Sequence, residues 1–164
     1  MTSETQPGPP PEIRAALDAH TTMTLAYADD DGPQACAVLY AVTDEPALVF
    51  VTSGSTRHGR ALAADARVAF TAQRDGQDWT ALTGIQGRGC CRRLTGDQRA
   101  AAWRAYSARF PYVEQSERLR QAMERTDLWE LRPDWLRLVD NGQGFGHKSE
   151  WTRTAPQGRD QDRR

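Results

Sequence analysis

The segment Thr52-Ser53-Gly54-Ser55-Thr56-Arg57-His58-Gly59-Arg60 joins an apolar run, Ala47 to Thr52, to a helical pattern carrying Ala61, Leu62 and Ala64. A strand hands over to a helix through a loop that bears the hydroxyls of Thr52, Ser53, Ser55 and Thr56. The first turn of a helix presents unpaired N–H groups and a partial positive charge. Adding the hydroxyls, Arg57 and His58 gives the donor set that a phosphate needs. The same residues also suit an ordinary N-cap with its arginines in water. Residue chemistry alone leaves both readings open.

Working outward toward the N-terminus, Ala35 to Val42 is a nearly continuous apolar strand. Thr43-Asp44-Glu45-Pro46 turns it into the strand that ends at Thr52, which predicts a hairpin. Met23, Leu25 and Tyr27 alternate with Thr22, Thr24 and Ala26, the pattern of a half-buried strand. Asp29-Asp30-Asp31-Gly32 then reads as a turn. It lacks the alternating ligands and distal Glu of a calcium loop. Pro10 and Pro11 suit the first turn of a helix, with Ile13, Ala16, Leu17 and His20 on one face.

Toward the C-terminus, Val68 to Ala72 predicts a strand, and Trp79 to Arg92 a long one thinned by Gly84, Gly87 and Gly89. Interior strand glycines mark a bulge, a barrel bend or a close approach. Thr95-Gly96-Asp97-Gln98 fits a capping box ahead of Trp103, Tyr106 and Phe110, and Pro111 stops that helix. Ser116 opens another, with Leu119, Ala122 and Met123 inward. Trp129 to Val139 predicts a last strand, bulged near Pro133. Four strands before the main helix and one after it favour α+β or a small β-barrel over alternating βαβ units. The expected organisation is a disordered arm over 1–9, one domain over 10–151 and a disordered tail over 152–164.

The 164 residues suit one domain. Lys+Arg 21 against Asp+Glu 22 gives net charge -1, which argues against a nucleic-acid partner. Lys148 is the only lysine, so arginine, with its planar bidentate geometry, carries the cationic chemistry. No apolar run approaches the ~20 residues that span a bilayer, and the N-terminus is polar, so a soluble cytoplasmic protein is expected. Cys36, Cys90 and Cys91 form neither a disulfide framework nor a zinc spacing, and no metal site is expected. Asn141 to Ser149 lacks a P-loop's Lys directly after its last Gly, because His147 intervenes. No G-x-S-x-G elbow or acid/base pair stands out. Chemistry carried by a bound cofactor fits that lack.

The order of motifs resembles the flavin-binding split barrels related to pyridoxamine 5′-phosphate oxidase, and within them the YhbP-like branch. The matching pieces are Thr22 to Tyr27, Leu39-Tyr40, Thr52-x-x-x-Thr56-Arg57-His58-Gly59, Gly84-Ile85-Gln86-x-x-Gly89 and Arg92-Arg93-Leu94. Ala105-Tyr106-x-x-Arg109-Phe110-Pro111 and Val139-Asp140-Asn141-x-x-Gly144-Phe145-Gly146-x-Lys148 complete a match over roughly residues 11 to 151. The resemblance implies a six-stranded split β-barrel with flanking helices, a homodimer, and flavin mononucleotide (FMN) at the subunit interface. It implies backbone contacts from Ala37, Val38 and Leu39 to the polar edge of the flavin ring, with Val51 and Thr52 on the neighbouring strand. Thr56, Arg57 and His58 would hold the phosphate, and Gln86 would lie near the ring. Phe145, Lys148 and Trp151 would close the site from the other subunit.

The family usually has Lys at the His58 position, and the oxidase has Arg at the Cys36 position, Gln at the Gly84 position and a substrate-phosphate Lys at the Ala41 position. These departures argue against pyridoxamine phosphate oxidation and for a weaker, pH-sensitive hold on the phosphate. The resemblance implies a flavin-dependent oxidoreductase acting on a small molecule. A deazaflavin, haem, or a binding module without flavin are the alternatives.

Overall fold

The computed structural model describes residues 7–154; of the arm expected over 1–9 and the tail expected over 152–164, residues 1–6 and 155–164 lie outside them, and Thr152 is the last residue of a strand. The predicted strands form as β1 (Thr22–Asp29), β2 (Gly32–Val42), β3 (Leu48–Val51), β4 (Arg67–Ala72), β5 (Thr83–Arg93) and β6 (Leu128–Asp140), followed by β7 (Lys148–Thr152). The helices are α1 (Pro11–Asp18), α2 (Arg57–Ala64), α3 (Gly96–Arg109) and α4 (Glu117–Glu124). Every strand pairing is antiparallel, in the order β3-β2-β1-β4-β5-β6-β7. A further pairing, Val51 opposite Leu128 through Leu48 opposite Leu131, joins β3 back to β6. Six strands thereby close into a ring, and β7 continues outside it along β6.

Alternation decides what fills the ring. Met23, Leu25 and Tyr27 point inward from β1 and meet Val38, Tyr40, Phe50, Val68, Phe70, Ile85, Leu131, Leu136 and Leu138. Complete burial of a Leu or Phe side chain is worth about 1.5–3 kcal/mol. α1 adds Ile13 and Leu17 to this core, both fully buried. A second, smaller core lies outside the ring, where Ala102, Tyr106 and Phe110 pack on Ala41, Val49, Leu94, Val113 and Leu128. Those strand residues therefore have cover on their outward face.

Several local expectations change. The long strand starts at Thr83, not Trp79. Trp79–Ala81 is instead a 3-10 turn, since the Asp78 carboxylate accepts from Thr80 N at 2.8 Å and Thr80 Oγ1 at 2.6 Å. The capping box at Thr95 does not form: Thr95 makes no side-chain cap, and Gln98 Oε1 accepts from Arg92 Nη1 at 3.2 Å. Ser116 does cap α4 by accepting from Leu119 N at 3.3 Å, but Ala122 is exposed and α4 buries no residue. β7 is a strand that the sequence pattern does not announce. The bulge near Pro133 is present: Arg88 opposes Trp135 and Gly89 opposes Pro133, leaving Asp134 as the extra residue. A Cβ on Gly89 would run into the Arg132 carbonyl, which explains that glycine.

One mismatch in length positions the site. β2 has 11 residues and β3 has 4, and β3 covers β2 only at Tyr40–Val42. Among the described residues the edge of β2 facing away from β1 is unpaired from Gly32 to Leu39. Where β3 stops, the hydroxyl loop begins.

Candidate functional site

The loop is held in place by a residue far away in sequence. Asp127 O accepts from Thr52 N at 3.1 Å, and Asp127 Oδ2 accepts from Gly54 N at 3.1 Å. Thr56 is the N-cap of α2, its Oγ1 accepting from Gly59 N at 3.0 Å and donating to Ser53 O at 2.8 Å. Such caps are worth about 0.5–2 kcal/mol. A Cβ on Gly59 would strike the Ser53 carbonyl and come within 2.9 Å of Thr56 Oγ1, so only glycine lets the helix start this close to the loop.

Three predicted residues converge here. Thr52 Oγ1 lies 3.2 Å from Thr56 Oγ1 and hydrogen-bonds His58 Nε2. Thr52 is 6% exposed, the one polar or charged residue in the buried set among the described residues. The His58 ring tilts against Tyr27, centroids 6.3 Å apart. Burial lowers its pKa from the ordinary 6.5, which favours the neutral imidazole at pH 7. Arg57 points elsewhere: its Nε donates to Asp29 Oδ2 at 2.6 Å and its Nη2 to Asp31 Oδ2 at 2.7 Å. These contacts lie in an open depression of about 530 Å³ that also holds Asp30 and Arg60. The Arg57 hydrogen bond, above all, lowers the Asp29 pKa from its ordinary value. Arg60 donates to Ser55 O, which ties it to the loop.

The other candidates separate into groups. Ala37 and Leu39 are exposed on the outer face of β2, whereas the Val38 side chain is buried in the core. Val51 is half-buried beside Thr52 at the end of β3. Gln86 is exposed in the same outer row as Ala37, the row running Ala37, Thr24, Thr71, Gln86 across β2, β1, β4 and β5. Three strand spacings of ~4.8 Å put it about 14 Å from Ala37. Lys148 is exposed and opposite Val139, while Trp151 is half-buried and opposite Leu136. With Val51 opposite Leu128, ~3.3 Å per residue puts Lys148 about 35 Å along β6 from the loop of the same chain. Phe145 is 85% exposed and packs edge-on to Trp79, centroids 6.0 Å apart.

Sequence reading missed Asp29, Asp31 and Asp127 as parts of this site. The first two sit in a run taken only as a turn. The signal was the concentration of three carboxylates where an unsatisfied arginine could reach them. Asp127 carried no local signal.

A six-strand antiparallel ring, closed by a short strand and carrying a hydroxyl-rich helix start beside a free edge, defines a small antiparallel barrel architecture. The family model described as pyridoxamine 5′-phosphate oxidase matches residues 9–140, and the chain belongs to that family. A UPF0306 protein of Klebsiella pneumoniae (strain 342) is 34% identical over 122 residues, 73% of this chain and 78% of its own length. The UPF0306 protein YhbP of Escherichia coli O157:H7 is 32% identical over 125 residues, 75% of this chain and 80% of its own. Among solved structures, a haem-binding protein from Mycobacterium smegmatis is 27% identical with TM-score 0.64, covering 90% of this chain; this chain spans 59% of that one. An FAD-binding protein from Mesorhizobium loti shares the fold at TM-score 0.61 and 17% identity, covering 77% of this chain and 89% of its own. No described helix is long and apolar enough to cross a membrane.

Proposed function

We propose that the ring is a split barrel that pairs with a second copy and binds FMN at the interface, serving as a flavin-dependent oxidoreductase of small molecules. The observation that carries this reading is the convergence of Thr52, Thr56 and His58 at the start of α2, beside the unpaired edge of β2. The two hydroxyls and the imidazole are uncharged polar groups of the kind that grip phosphate oxygens, and Arg57 is the nearby charge. Backbone groups of Ala37 to Leu39 on the free edge are available to a polar ring edge. The small side chains Ala35, Ala37, Ala26 and Ala69 leave the adjoining outer face flat enough for a planar ring or a second protomer. Lys148 and Trp151, remote from the loop in one chain, would reach it only from a partner. A bound flavin would supply hydride or electron exchange. The protein would position it and set its electrostatics.

The test is the absorption spectrum of the purified protein, followed by flavin titration with fluorescence quenching. Saturable quenching is expected, weakened about tenfold or more by Arg57→Ala, because a hydrogen bond to a charged group is worth about 1.5–3 kcal/mol. No saturable binding between pH 6 and 8 would overturn the reading. A second reading, haem, is favoured by the 27% identity to the mycobacterial haem-binding protein. His58 or His147 would then be the ligand, and an intense band near 400 nm, absent after His→Ala at the ligating position, would identify it.

A further inference from the structure

The phosphate reading needs the Arg57 guanidinium, yet the structure shows it already occupied. Asp29 takes Nε and Nη2 side-on, at 2.6 Å and 3.3 Å, and Asp31 takes Nη2 at 2.7 Å. The two carboxylates differ in character. Asp29 is the last residue of β1, and its side chain is 19% exposed. Its Oδ1 also accepts from Asp31 N at 3.0 Å and from Gln34 Nε2 at 3.4 Å, so groups other than Arg57 also hold it. Asp31 lies in the turn and its side chain is 80% exposed, so it can let go at little cost. The depression they share carries three carboxylates (Asp29, Asp30, Asp31) against two guanidiniums (Arg57, Arg60), and so is net acidic. A phosphate dianion held by Thr52, Thr56 and His58 and reaching for Arg57 at the edge of that depression meets both repulsion and a competitor.

Resting on the phosphate reading above, we infer that the β1–β2 turn is a built-in counter-anion: Asp31 competes with an incoming phosphate for Arg57, while Asp29 keeps the guanidinium in place. Asp31 and phosphate exchange on Nη2 of the same arginine. The turn thus lowers the affinity of the site by one common factor for any ligand that needs Arg57 Nη2.

Asp30 supplies the control. It sits between the two carboxylates, is exposed, and makes no ion pair with Arg57 among the described residues. Asp31→Asn and Asp30→Asn remove the same charge from the same turn, but only the first removes an ion pair from Arg57 Nη2, which Asp29 still holds. The experiment is titration of the full chain and both variants with FMN, and separately with inorganic phosphate as a competitor of FMN. Asp31→Asn is expected to tighten FMN about two- to fivefold, the range set by an exposed ion pair, and to lower the phosphate concentration needed for competition in proportion. Asp30→Asn is expected to move affinity by less than half as much. Adding Arg57→Ala to Asp31→Asn should erase the gain. If the parent protein binds FMN and Asp31→Asn binds it no better, or no better than Asp30→Asn does, the counter-anion role is overturned and the phosphate reading stands. If no variant binds FMN or phosphate, both fall together.

Discussion

The two ends of the ring are closed by helices of the same length and opposite chemistry. At one end α1 packs Ile13 and Leu17, both fully buried, against strands β2, β5 and β6. A buried polar contact there is saturated: Tyr40 Oη donates to Leu17 O at 2.7 Å, and burial pushes the phenol pKa up. At the other end α2 buries Ala61 and Leu62, but its first turn carries Thr56, Arg57 and His58, with Thr52 buried beneath. The α1 end seals the core. The α2 end gives up sealing to keep polar groups together beside an unpaired strand edge. A barrel of this size can close one mouth with apolar side chains and leave polar groups gathered at the other, where the proposed ligand would sit.

The sharpest way to break that contrast is to cut into the apolar plug. Leu17→Ala is expected to cost about 3 kcal/mol of unfolding free energy, within the 2–5 kcal/mol typical of a buried Leu. Urea denaturation measures it. Flavin affinity of the folded fraction should stay unchanged, and a parallel loss of affinity would mean the two ends are coupled. Gly59→Ala probes the other mouth. Its methyl group has no room against the Ser53 carbonyl, so the loop must shift, at about 1–3 kcal/mol for overpacking. Here affinity should fall at least about tenfold, a larger relative loss than the stability change alone explains. Full affinity in Gly59→Ala would show that the loop is not the seat.

The same contrast explains what could be read in advance. The ring's interior was legible because strand alternation repeats every second residue: Met23, Leu25 and Tyr27 are all buried as the pattern requires. The hydroxyl loop was legible because its cap is local, Thr56 to Gly59. What escaped depends on long-range pairing. Asp127 supports Gly54 from 73 positions away, and Asp29 meets Arg57 across 28. β7 escaped because Lys148–Thr152 pairs with β6 through a register that no turn rule announces. The capping box failed for the opposite reason: a motif that is complete locally lost Gln98 to Arg92, a competitor set by tertiary structure.

The smallest expected effect separates the two ends by pH. Each mouth has one histidine whose pKa is lowered from 6.5: His20 after α1, by burial and then by Arg74, and His58 at α2, by burial. A folded pKa below the unfolded one means the unfolded chain takes up the proton first. The stability these groups contribute is fully present above pH 6.5 and is lost as pH falls through their folded values. Thermal melts between pH 7.5 and 5 should therefore show falling stability, and His20→Gln and His58→Gln should each flatten part of the slope. Ligand affinity should respond differently. A protonated His58 adds a positive charge beside Thr52 and Thr56, so phosphate binding by the folded protein should strengthen as pH drops over the range where stability weakens. His58→Gln should remove that response, and His20→Gln should leave it intact. If His20→Gln flattens the binding profile as well, the anion site draws on both mouths, and the division of labour between α1 and α2 does not hold.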